Sequence, residues 1–149
     1  MLLKNSEPSP LARRLGYAGL VPFALLAAVL WAVHVDQQAF VATALISYGA
    51  VIASFLGGMH WGIAAQLNHR EAKFHYLWGV APSLLGWVAV LLPVSAGLVV
   101  LSLVLAACYA VDRRSYPEVG WTAWLPMRQR LTVVAVLSCA VGAAAGGSH

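Results

Sequence analysis

The run Ala39–Leu67, AFVATALISYGAVIASFLGGMHWGIAAQL, holds 29 residues without a formal charge. As a helix rising 1.5 Å per residue it reaches ~43 Å, beyond the ~30 Å hydrocarbon layer of a bilayer, so it crosses with tilt or projects from it. Gly57-Gly58-Met59-His60-Trp61-Gly62 lies in its second half. His60 has apolar sequence well past it on both sides, and an ionisable residue at membrane depth is a functional-site candidate because burying it in hydrocarbon is costly. Counting from the midpoint at Ala53, His60 sits ~10 Å toward the end that leads into Asn68.

Outward from this run the pattern repeats. A polar segment, 1–14, resembles the n-region of a signal peptide, but the apolar run 15–35 behind it exceeds the ~7–15 residues of a signal core. It reads as an uncleaved first membrane helix, interrupted at Pro22. Further helices fit 74–92, containing Pro82-Ser83, then 96–111 and 130–146. The stretch 115–129, with Pro117, Gly120, Trp121, Trp124 and Pro126, suits a segment at the headgroup level. The expected fold is therefore all-α, an integral membrane bundle of five transmembrane helices over residues 15–149. Composition agrees: the chain is 61% hydrophobic and 9% charged, with mean hydropathy +0.79, where soluble domains carry about 25% charged residues.

Five crossings put alternate links on opposite sides. All nine basic residues (Lys4, Arg13, Arg14, Arg70, Lys73, Arg113, Arg114, Arg128 and Arg130) fall on the amino-terminal side. The other side holds His34, Asp36 and His149. The positive-inside rule then puts the amino terminus inside and the carboxy terminus outside. It also accounts for the net charge of +4 without nucleic acid.

Small residues recur every four positions in the second helix: Ala50, Ser54, Gly58 and Gly62, beside Gly49, Ala53 and Gly57. Rows of this kind share a helix face and let another helix approach closely, so packing is the expected role. His60 is read either as an interhelical hydrogen-bonding residue or as part of a binding site. Haem would need a second axial ligand, for which His75 is the geometric candidate, but His75 stands among surface charges. Met59, His60 and Cys108 do not converge as a metal set. Asp112, at the end of an apolar helix, is expected to pair at the inner face with Arg128. No nucleophile with a base, carboxylate pair, phosphate loop or CxxC spacing is present, so neither an enzyme nor a cofactor is expected. The scarcity of intramembrane acids disfavours an ion-coupled pump.

Several stretches resemble a known family. Leu15-Gly16-Tyr17-Ala18-Gly19-Leu20-Val21-Pro22-Phe23 is similar to its opening motif, and Ser54-Phe55-Leu56-Gly57-Gly58-Met59-His60-Trp61-Gly62 to its central one. Pro82-Ser83-Leu84 with Trp87 resembles its third-helix motif. Trp124, Arg128, Leu131 and Thr132 resemble the last, with Leu125 where a second aromatic is expected. This is the bacterial and mitochondrial family that includes transmembrane protein 69, a family of unknown function. The resemblance implies a small multi-pass protein of the bacterial inner membrane, and it brings no activity or catalytic residue. Two functions are therefore carried forward. One is a non-catalytic accessory or assembly partner of a larger membrane complex. The other is binding or transport of a lipid, quinone or similar amphipathic molecule at an inner-leaflet site among Tyr17, His60, Trp61, Tyr76, Trp78 and Ser83. The expected partners are the lipid bilayer and membrane-complex subunits.

Overall fold

The computed structural model describes residues 6–146, and every regular element among them is helical. The helices are α1 (Pro10–Ala18), α2 (Leu20–Ala32), α3 (Val35–Ala64), α4 (His69–Leu91), α5 (Val94–Ser115) and α6 (Leu125–Gly146). Two 3-10 turns, Tyr116–Val119 and Thr122–Trp124, join α5 to α6. With α1 and α2 counted as one crossing, five helices are long and apolar enough to span a membrane.

The helices start and stop where backbone chemistry dictates, so several hydropathy-based boundaries move. Ser9 Oγ accepts from the Ala12 N–H at 3.1 Å, and Pro10 needs no partner for a missing N–H at the first helical position. The first helix thus begins at Pro10 instead of Leu15, inside the segment expected to be polar and irregular. Residues 1–5 of that segment, with Lys4, lie outside the described residues, as does His149. At the start of α4, Arg70, Glu71 and Lys73 are already helical. Charge marks where that helix leaves the apolar layer, since Arg, Glu and Lys are good helix formers. For the same reason α5 runs past Asp112-Arg113-Arg114 to Ser115, and α6 begins at Leu125. Of the stretch 115–129 only 116–124 is a connection, compact, with its reversal at Gly120, at a left-handed φ of 75°.

The first crossing breaks at Gly19. Pro22 lacks an N–H, and its ring crowds the carbonyl four residues back. The Tyr48 hydroxyl from α3 donates to the neighbouring Gly19 carbonyl at 2.7 Å, supplying a hydrogen bond at the break.

α3 packs against α2, α4, α5 and α6. Lipid supplies no hydrophobic force between helices, so close backbone contact carries much of the association. A Cβ on Gly57 would strike the Gly79 carbonyl, and one on Gly86 would come 3.3 Å from the Ala50 Cα. Gly49, Ala53 and Gly57 are buried, and Ala50 and Ser54 half-buried. The other end of the second row departs from the packing expectation. Gly58 and Gly62 are exposed, with nothing within 4 Å of where a Cβ would stand.

Candidate functional site

Each inward face carries a polar residue at the end of the bundle where α3 finishes and α4 begins. On α4 the buried stripe is Ala72, His75, Gly79, Pro82, Gly86, spaced three or four residues apart. On α5 it is Leu101, Leu105, Cys108, Asp112, Ser115, and on α6 Arg128, Thr132, Ala135, Cys139. His60 continues the buried face of α3 through Ala53 and Gly57. The three- and four-residue spacing therefore turns one polar side chain from each of four helices toward a common centre.

There they form a continuous row. Arg128 Nε–H and Nη2–H both donate to Asp112 Oδ2, at 2.9 and 2.6 Å. Asp112 Oδ1 faces His60 Nε2 at 2.9 Å. His60 Nδ1 lies 2.9 Å from His75 Nδ1, with the two rings stacked. His75 Nε2 lies 3.5 Å from Glu118 Oε2. His60, His75, Asp112 and Arg128 are each at most 4% exposed, whereas the Glu118 side chain is 57% exposed. The row thus runs from a buried guanidinium to a solvated carboxylate. The buried Tyr116 hydroxyl lies against Asp112 and Arg128 and sits 3.9 Å from Met59 Sδ.

The row meets a different cavity at each end. Arg128 and Thr132 form part of the wall of a groove of about 140 Å³ that is otherwise apolar, with Leu20, Phe23, Ile52, Phe55 and Leu131 among its lining. Gly16 and Gly19, at the break between α1 and α2, complete its lip. His75 and Glu118 line a second cavity of about 560 Å³, where Glu71, Arg114 and Ser115 make the walls polar.

The residues singled out in the sequence are distributed unevenly around this centre. His60, Asp112 and Arg128 are in it. Asp112 and Arg128 pair with each other, and both are buried between the helices although the neighbouring Arg113 and Arg114 are exposed. Trp61 and Tyr76 form an edge-to-face pair on the exposed rim, where the Trp61 indole donates to the Tyr76 carbonyl at 3.2 Å. The exposed Tyr17 hydroxyl accepts from Arg130 at 3.3 Å. Trp78 is half-buried, its indole N–H without a hydrogen-bond partner. Ser83 stands eight residues beyond His75 on α4, ~12 Å along the axis. These six residues do not line one site.

Sequence reasoning missed His75 and Glu118. His75 was discounted for its charged neighbours, yet its place in the Ala72–Gly79–Pro82 stripe is the signal that turns it inward. Glu118 rests on a 3-10 turn, which no periodicity announces. The two imidazoles touch through Nδ1, leaving no space between them for a haem iron. Among the described residues no three His, Cys, Asp or Glu side chains converge as a metal set.

The profile described as Protein of unknown function (DUF3429) matches residues 8–144. Transmembrane protein 69 of Xenopus tropicalis is 38% identical over 141 residues, covering 90% of this chain and 53% of that protein. The chain thus spans about half the length of the curated relative it matches. No solved structure matches it. With the profile covering nearly its whole length and five membrane-crossing helices beneath it, the chain belongs to the DUF3429 family of transmembrane proteins of unknown function.

Proposed function

We propose that this protein binds a small amphipathic molecule from the membrane, a lipid or a quinone, in the groove between the α1–α2 break and α6. The observation that carries this reading is Arg128, a buried cation in the wall of a largely apolar groove. A guanidinium has five N–H donors, and Asp112 takes two of them, so Arg128 retains capacity for an oxygen acceptor. The groove, at about 140 Å³, is close to the ~150 Å³ of an engineered protein cavity that admits benzene. A carbonyl or anionic head against Arg128, with an apolar tail along Phe23, Ile52 and Leu131, matches both halves of the lining. The grouping of basic residues at this end supports a cytoplasmic amino terminus in a bacterial inner membrane, and hence a site in the inner leaflet.

The test is native mass spectrometry of the detergent-purified protein with short-chain phosphatidylglycerol in one arm and a short-chain ubiquinone analogue in the other. One of the two should be retained, and Ile52→Trp, which fills the groove, should abolish retention. Equal retention by that variant, or no retention in either arm, rejects the reading.

A second reading, an accessory subunit of a larger membrane complex, draws on the open face at Gly58 and Gly62, beside the exposed Phe55 and Trp61. Purification in mild detergent with no co-purifying subunit would end it.

A further inference from the structure

The hydrogen inventory of the row is tightly constrained. Asp112, bonded twice by Arg128, offers His60 only acceptor oxygens, so His60 Nε2 carries a hydrogen and donates it. For His60 as a neutral imidazole, Nδ1 is then a lone pair, and it lies 2.9 Å from His75 Nδ1. Two lone pairs at that distance repel, so one hydrogen sits between the two rings. His75 Nε2, the remaining ring nitrogen, looks into the polar cavity beside Glu118.

We propose that this row is a proton relay between the polar cavity and the Asp112–Arg128 pair. A proton arriving on the Glu118 carboxylate passes to the lone pair of His75 Nε2. The shared hydrogen crosses from His75 Nδ1 to His60 Nδ1, and His60 releases its Nε2 hydrogen to Asp112 Oδ1. One proton has entered the imidazole pair from Glu118 and one has left it for Asp112. Both imidazoles end neutral in the opposite tautomer, and return transfer along the same atoms resets them. A neutral Asp112 leaves the buried Arg128 charge without its counter-ion, a place that an anionic oxygen of whatever occupies the groove would take. That last consequence rests on the groove reading; the relay does not.

The other titratable groups facing the row do not interrupt it. From α4, Glu71 and, from α5, Arg114 line the polar cavity outside the bonded chain. Cys108 lies one turn before Asp112 on the buried face of α5, and the Tyr116 hydroxyl touches the Asp112–Arg128 end. The opposite half of the bundle has no buried His, acid or base among the described residues, so the relay serves one side of the membrane.

The experiment is NMR of the full chain, labelled with ¹⁵N-histidine, in detergent micelles. The expected result is scalar coupling between His60 Nδ1 and His75 Nδ1 through one shared hydrogen. Replacing the exposed Glu118 by Gln should leave that coupling intact while slowing exchange of the shared hydrogen with water on the order of a hundredfold, the usual size of a positioned proton-transfer group. Uncoupled nitrogens would overturn the shared hydrogen, and an unchanged exchange rate in E118Q would overturn the route. Ile52→Trp should change neither reading, so failure of the groove leaves this outcome legible.

Discussion

At the end of the bundle closed by the Leu92–Val94 turn, helices meet through glycine. A Cβ on Gly97 would strike the Ala89 carbonyl and one on Gly146 the Ser95 hydroxyl, while Gly142 abuts Leu45. The core there is Leu30, Val41, Ala42 and Ala145. At the opposite end the same helices close around Arg128, Asp112, His60 and His75, with a small apolar cluster of Ile63, Tyr116 and Val119 beside the polar row. One end is held by shape alone and the other by shape together with matched charge. Shape-based packing tolerates lipid on its outer side without further cost, whereas a buried charge is tolerated only while its partner remains. A chain needing only a stable bundle could have used the first solution throughout.

The largest test of this contrast is Asp112→Leu, which strands Arg128 and should cost about 3–5 kcal/mol in unfolding from mixed micelles by SDS. The double variant Asp112→Leu/Arg128→Met should recover most of that loss, because it removes both charges together. At the glycine end, Gly97→Val drives a side chain into the Ala89 backbone, which cannot swing away, and should cost about 1–3 kcal/mol in the same assay with no second-site rescue by charge. The smallest effect belongs to Gly58→Ala. With open space around Gly58, stability should change by no more than ~0.5 kcal/mol. A large loss there would mean that this face is covered in the protein as purified.

The five crossings were legible in the sequence because an uncharged run such as 39–67 has few other fates, and because the basic residues separate cleanly between alternate links. Helix ends were less legible. Arg70 and Arg113 looked like linkers, although charged residues extend a helix beyond the apolar layer as readily as they end it. His60 stood out by depth alone. His75, Asp112 and Arg128 were read at the surface because their sequence neighbours are charged, and only the three- and four-residue spacing to Gly79, Cys108 and Thr132 shows that they turn inward. The groove could not be read at all. It depends on how α1 and α2 lean after the break at Gly19, which the chain settles through the distant Tyr48.

His60 and His75 are 15 residues apart, and Asp112 and Arg128 are 16. Each couple therefore belongs to one helical hairpin, α3–α4 for the imidazoles and α5–α6 for the ion pair. That bears on biogenesis. Placed within the first or last two turns of their helices, these groups meet less than the helix-centre insertion penalty, and a hairpin that folds on itself enters lipid with its polar groups already matched. The two halves of the row can thus be delivered separately and safely. The contacts His60–Asp112, His75–Glu118 and Tyr116–Met59 are the seam at which the finished site is joined.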